Sequence, residues 1–168
     1  MRAELINPFL SAAYNVCDTM LGCKLTRQAL ALKTQHSTMH EVSGLIGLSG
    51  AFRGMVVVNL ARETALRAAG ILLGSEPQEL DAEVMDAIGE LTNMIAGSAK
   101  TQLERYELSM GLPTIIVGEN QTIMFPSGAT PFIIPFTSEI GPLCVQVGLV
   151  ESRQANIPAS ATCSMSAV

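Results

Sequence analysis

The chain has 168 residues, with 15 acidic and 10 basic side chains and a formal net charge of −5 at pH 7. That balance excludes a nucleic-acid binder, because such binding rests on Lys and Arg contacts to phosphate, and neither a basic stripe nor an aromatic stacking platform is present. Hydrophobic residues make up 48%, charged residues 15% and aromatics 4%, with no Trp, which describes an aliphatic protein about one domain in size, sparingly charged and long enough to bury a sizeable core.

A mean hydropathy of +0.36 implies apolar surface covered by a partner or a second copy. No uncharged apolar run reaches the roughly 20 residues of a membrane span. The start, Met1-Arg2-Ala3-Glu4, lacks the apolar stretch and cleavage site of a signal peptide, so the expected location is the cytoplasm.

In chain order, Asn7-Pro8 is read as opening a helix, with Asn7 as its cap, that runs through Phe9, Ala13, Val16 and Met20 to a stop at Gly22. A first strand is expected within 25–32. Residues 41–50 and 52–61 read as a hairpin, because Ser49-Gly50-Ala51 separates two apolar segments. Within it, Met55-Val56-Val57-Val58 has the continuous β-branched character of a strand buried on both faces. A helix over 64–73 ends at Gly74, and after Ser75-Glu76-Pro77 a long helix is expected from about Leu80 to Arg105. Three further strands are expected near 108–117, 131–137 and 143–150. Residues 1–151 then form one domain, and 152–168, small and polar with no apolar period, a flexible tail.

Cys17, Cys23, Cys144 and Cys163 form no CxxC pair, so they are read as free thiols and not as a zinc site or disulfide framework. His36 and His40 stand four apart without the carboxylate-flanked helix of a metal site. No nucleophile elbow surrounds Ser49 or Ser127, and there is no glycine-rich phosphate loop. The nine methionines are read as core filler.

The two halves look related. Setting Ser11–Gly22 against Asp86–Gly97 places Met20-Leu21-Gly22 opposite Ile95-Ala96-Gly97, and the stretch 49–56 similarly resembles 138–145. A helix followed by strands, occurring twice, describes a duplicated α/β unit. The expected architecture is α+β: a mixed or antiparallel sheet of about six strands against two long helices.

The chemistry lies on the long helix, in Asp86-Ala87-Ile88-Gly89-Glu90-Leu91-Thr92-Asn93-Met94-Ile95-Ala96-Gly97. At about 100° per residue, Val84, Ile88, Leu91 and Ile95 share a core face. Asp86, Glu90, Asn93 and Gly97 fall on the opposite side, at spacings where helix neighbours touch. Two features distinguish this row from a merely solvated face. Gly89 and Gly97 lie on or beside it, each costing about 1 kcal/mol relative to Ala, as though another backbone came close. Asn93 is a mediocre helix former in mid-helix with no evident local partner.

Glu90-Leu91-Thr92-Asn93, with Met94 and Gly97, resembles the Glu-x-x-Asn signature of the CheC/CheX/FliY chemotaxis phosphatases. Asp86 matches the acidic or Ser position ahead of that Glu, and Pro113 in Gly111-Leu112-Pro113-Thr114 matches the downstream proline, a few residues closer to Asn93 than in CheC. The resemblance covers about residues 5–150. CheC-like members carry the motif in both halves, whereas here Asn15 and Asp18 stand where Glu90 and Asn93 stand in the second. One active helix per chain resembles CheX, whose members pair as homodimers.

The resemblance implies a phosphatase acting on a phosphorylated CheY-like response regulator. The chain would need no cofactor of its own, because the regulator supplies the aspartyl phosphate, a Mg²⁺ ion and a Lys. Asn93 would orient the attacking water and Glu90 would pair with that Lys. Asp86, Gly89, Met94, Gly97 and Pro113 would belong to the docking face. The alternatives are a noncatalytic adaptor for a receiver domain or flagellar-motor component, and a purely structural dimer.

Overall fold

A computed structural model describes residues 3–28, 31–32, 40–119 and 121–152. His36, Cys163 and, apart from Ser152, the expected tail lie outside the described residues. Helix α1 spans Ala3–Leu21 and is followed by the two-residue strands β1 (Thr26–Arg27) and β2 (Ala31–Leu32). The hairpin β3 (Val42–Ser49) and β4 (Phe52–Leu60) leads into α2 (Arg62–Leu73) and α3 (Ala82–Gln102). Then come β5 (Ser109–Met110), β6 (Thr114–Val117), β7 (Phe132–Thr137) and β8 (Leu143–Glu151).

The strands form an eight-stranded sheet in the order β1-β7-β8-β4-β3-β5, with β2 also on β7 and β6 also on β3. Every pairing is antiparallel, which settles the mixed-or-antiparallel alternative. The six expected strand segments become eight strands because two of them are broken. The segment over 108–117 is interrupted at Gly111-Leu112-Pro113, where Pro113 has no N–H to give a ladder. The segment over 25–32 yields β1 and β2, both held on β7.

The relation between the halves is visible in the sheet. β4 and β8 pair along their length, from Phe52↔Glu151 to Leu60↔Leu143. Under the alignment of 49–56 with 138–145, Val56 corresponds to Val145 and Val58 to Val147. The observed pairs Val56↔Val147 and Val58↔Val145 map onto each other under that exchange, as a two-fold relation between duplicated units requires.

The helices cover one face of this sheet. Phe9, Ala12, Ala13, Val16 and Cys17 of α1 and Val84, Ile88, Leu91, Ile95 and Ala99 of α3 join Val56, Val58, Leu60, Val145 and Val147 in one core. The opposite face is covered as well, since Val57 is fully buried and the segment 121–126 lies against it, with Ile123 buried and the Phe125 ring over Gly148. Buried Asn59 on that face is satisfied by the neighbouring chain: its Nδ2 donates to the His40 and Val42 carbonyls and Ser43 Oγ, and its Oδ1 accepts from the His40 N–H.

Helix boundaries follow local chemistry except where tertiary contacts override it. α1 starts at Ala3 and carries Pro8 inside it, so Asn7 is not its cap. Buried Leu5 and Ile6 and the Glu4–Arg105 ion pair at 3.1 Å hold the extra first turn that Pro8 alone would discourage. α2 ends as expected at Gly74, whose φ of +65° suits glycine and whose N–H bonds the Gly70 carbonyl. α3 stops at Gln102, short of Arg105, and the chain tightens into a 3-10 turn over Glu104–Tyr106. Cys17, Cys23 and Cys144 are buried thiols outside any disulfide, and burial pushes Cys17 up to about 12, so it stays protonated and inert.

α3 sits close on β3 at one point. Thr92, fully buried, bonds the Ile88 carbonyl through its hydroxyl at 2.7 Å, and a Cβ on Gly44 would clash with that hydroxyl. Gly44→Ala should therefore destabilise the fold by about 1–3 kcal/mol through overpacking. In the same chain Thr92→Ala should recover part of that loss, read from chemical denaturation of the two single variants and the double variant.

Candidate functional site

α3 is oriented by its ends and its buried side. The Asp81 side chain accepts the Val84 N–H at 2.9 Å as N-cap, Glu83 lies in the positive first turn and Lys100 in the last. Val84, Ile88, Leu91 and Ile95 are at most 1% exposed, as the periodicity predicts. Leu91 and Thr92, the two residues between Glu90 and Asn93, both point into the core. The pair is thus presented outward by a helix pinned directly beneath it. Sequence reading missed this role of Thr92 and Gly44. The available signal was a Thr in the buried phase of a helix, where its hydroxyl has only the carbonyl one turn back to bond.

Asp86 and Glu90 are exposed, and Asn93, Met94 and Gly97 are half-buried. Met94 is shared between this surface and the core, against which it packs. Glu90 and Asn93 stand one turn apart on the open side, with Asp86 a turn before and Gly97 a turn after. The amide of Asn93 can donate and accept at once, and an ionised Glu90 can only accept.

Among the described residues the nearest atoms around the two glycines, outside α3 itself, belong to side chains. A Cβ on Gly89 would meet Pro113 Cγ at 3.7 Å and Ile115 Cδ1 at 3.9 Å, which is ordinary contact, and one on Gly97 would find only Met110 Cε at 4.0 Å. Gly89 is buried beneath Pro113 and supports the 111–113 segment from below. Gly97 opens onto a cleft of about 590 Å³, which Lys100, Thr101, Glu104, Glu107 and Met110 also line. Pro113 is therefore brought to the site, at the Gly89 end of the row. A cavity of about 680 Å³ against α2, lined by Leu66, Arg67, Gly70 and Ile71, involves none of these residues.

On α1, Ser11, Asn15 and Asp18 are exposed in the phase that Asp86, Glu90 and Asn93 occupy on α3. The second helix thus presents an equivalent face with different chemistry. Among the described residues no group of three or more His, Cys, Asp or Glu could hold a metal ion, and no helix is long and apolar enough to cross a membrane.

The profile of the family described as "Chemotaxis phosphatase CheX" matches residues 42–137, more than half of the chain. The chain belongs to the CheX family. Among curated relatives, the protein named CheY-P phosphatase CheX from Thermotoga maritima is 27% identical over 126 residues, 73% of this chain and 81% of its own. Among solved structures, the chemotaxis protein CheX of Vibrio vulnificus is 34% identical with a TM-score of 0.81, covering 88% of this chain and 100% of that one. A CheX–CheY–BeF3–Mg²⁺ complex from Borrelia burgdorferi matches with 29% identity and a TM-score of 0.77, over 89% of this chain and 100% of that one. The CheX fold here is the duplicated helix-and-sheet architecture already described.

Since neither Glu90 nor Asn93 is buried and both lie outside the core, Glu90→Ala and Asn93→Ala should leave the unfolding free energy within about 0.5 kcal/mol of wild type. Denaturant unfolding followed by circular dichroism checks this, and separates effects on function from effects on folding.

Proposed function

We propose that this CheX-family chain hydrolyses the aspartyl phosphate of a CheY-like response regulator, with Glu90 and Asn93 as the residues it inserts at the phosphate. The observation that carries the reading is the outward pair on α3, one turn apart, above a helix pinned on its other side by Thr92 and Leu91. The likeness to a protein named CheY-P phosphatase and to a CheX in complex with CheY supports the choice of partner.

Hydrolysis of a phosphoryl group requires little covalent chemistry from the protein. It rests on positioning and charge stabilisation. The Asn93 amide would accept a hydrogen bond from a water and hold it in line with the phosphorus. The water oxygen attacks, the bond to the regulator's aspartate breaks, and the proton leaves with inorganic phosphate. An amide is too weak a base to deprotonate water, so its contribution is geometric, like the water-positioning Gln of GTPases. Glu90 would accept from the regulator's Lys and set the helix over the phosphate. Asp86, Met94, Gly97 and Pro113 would make the surrounding contacts, with Gly89 beneath Pro113. Mg²⁺ would come with the regulator.

The expected result with a phosphorylated CheY receiver is accelerated phosphate loss by wild type, and a fall in kcat of about 10²-fold or more for Asn93→Ala, with binding of the receiver retained. Glu90→Ala should lower both turnover and affinity. Binding without any acceleration by wild type would instead identify an adaptor.

We also infer that the chain is a cytoplasmic homodimer. Ile116 and Val117, each 40% exposed, lie on β6, which pairs only with β3 among the described residues and so leaves an apolar strand edge. Light scattering should return twice the 17.8 kDa chain mass, and a monomer mass across micromolar concentrations would refute the dimer.

A further inference from the structure

The segment between β5 and β6 departs from regular pairing at a telling place. Met110 pairs with Leu48, and Thr114 with Leu45. Residues 111, 112 and 113 therefore oppose only residues 46 and 47, an extra residue that makes a bulge and bows the chain away from the ladder. Gly111 remains tied to β3 by its N–H to the Gly47 carbonyl at 2.9 Å. Leu112, next in the chain, is 90% exposed, the most exposed large apolar side chain among the described residues.

The bulge runs alongside the Glu90–Asn93 row. At one end Met110 Cε reaches Gly97, and at the other Pro113 packs on Gly89. Gly89 and Gly97 are eight residues apart on a helix, about 12 Å. Three residues of extended chain reach about 11 Å, so the stretch from Met110 to Pro113 is drawn out along this part of α3. Leu112 lies between these two anchors, next to Pro113 and so toward the Gly89 end, where Glu90 follows in the helix. The fixed φ of Pro113 and the Gly111 bond hold the backbone on both sides of it.

Leaving a leucine in water is unfavourable by the same amount that burying it would gain, and here its backbone is held on both sides, at Gly111 and at Pro113, alongside the helix that carries the two polar groups. We infer that Leu112 is the apolar anchor of the docking face, inserting against an apolar patch of the receiver next to its phosphorylated pocket. This rests on the phosphatase reading above and adds to it a residue that sets affinity and partner choice. The occupant is the receiver because Leu112 belongs to the bulge whose flanking residues, Pro113 and Met110, lie against Gly89 and Gly97 of the helix that carries Glu90 and Asn93. Rigid anchors near the centre of an interface carry a large share of binding energy, and the polar pair at their side gains from the water they exclude. Leu112 takes no part in the chemical step, so its loss acts on affinity.

The test uses the full chain and a CheY receiver domain that wild type dephosphorylates. Leu112→Asp and Leu112→Ala should raise KM for the phosphorylated receiver at least about tenfold, with kcat at saturation within about twofold of wild type. Leu112→Met should stay near wild type. Calorimetric titration with the beryllofluoride–Mg²⁺ form of the same receiver should show the same order of affinities. The side chain is solvent-exposed, so unfolding midpoints should not move. Unchanged KM and affinity in Leu112→Asp overturn the inference while wild-type turnover keeps the phosphatase reading. So does a Leu112→Asp that becomes monomeric by light scattering yet binds the receiver normally, since Leu112 would then face a second copy. A wild type inert toward every receiver tried removes the phosphatase reading and this inference with it.

Discussion

Gly44 has no side chain, and that absence lets α3 descend onto β3 until the Thr92 hydroxyl fills the space a Cβ would need. Thr92 in turn spends its hydroxyl on the Ile88 carbonyl, so the contact leaves no buried polar group unsatisfied. The consequence is rotational. With Leu91 and Thr92 committed inward, Glu90 and Asn93 can only point outward. Water-positioning chemistry tolerates little error in placement, and a helix locked from below by packed side chains provides that precision better than a loop would.

The same constraint organises the neighbouring strands. β3 accepts α3 on its inner face and carries β5 and β6 along its outer edge. The bulge between those strands is held against the helix by Pro113 on Gly89 and by Met110 near Gly97. The two glycines thus keep a lane along the helix in which side chains from the bulge, and not another backbone, lie. A larger side chain at Gly97 would fill the mouth of the adjoining cleft.

The duplicated architecture explains why one chain carries two similar helix faces and one matching motif. The two-fold pairing of β4 with β8 places α1 and α3 on the same side of the sheet. Asn15 and Asp18 on α1 occupy the exposed phase without the Glu and Asn pair. Both helices are needed to cover the sheet, so the core retains α1 whatever its outer face carries. Burial constrains its inner residues, such as the fully buried Phe9, Ala12 and Ala13, and leaves the outer ones free.

The amphipathic phase of α3, the β3–β4 hairpin, the Gly74 stop and the relation between the halves were all legible in the amino-acid order, because each depends on neighbours within a turn or a strand. The outward row of Asp86, Glu90, Asn93 and Gly97, the first two exposed and the last two half-buried, was legible for the same reason. The start of α1 was not, since a buried first turn and a contact to Arg105, far along the chain, outweigh Pro8. Nor was the break in the segment over 108–117, the depth to which Thr92 sinks, or the placing of the bulge around Leu112 along α3. By itself the sequence determined which residues face water on each element. Tertiary structure alone decided which elements lie side by side, because the packing of Gly44 on Thr92 and of Pro113 on Gly89 joins residues whose separation in the chain carries no local signal.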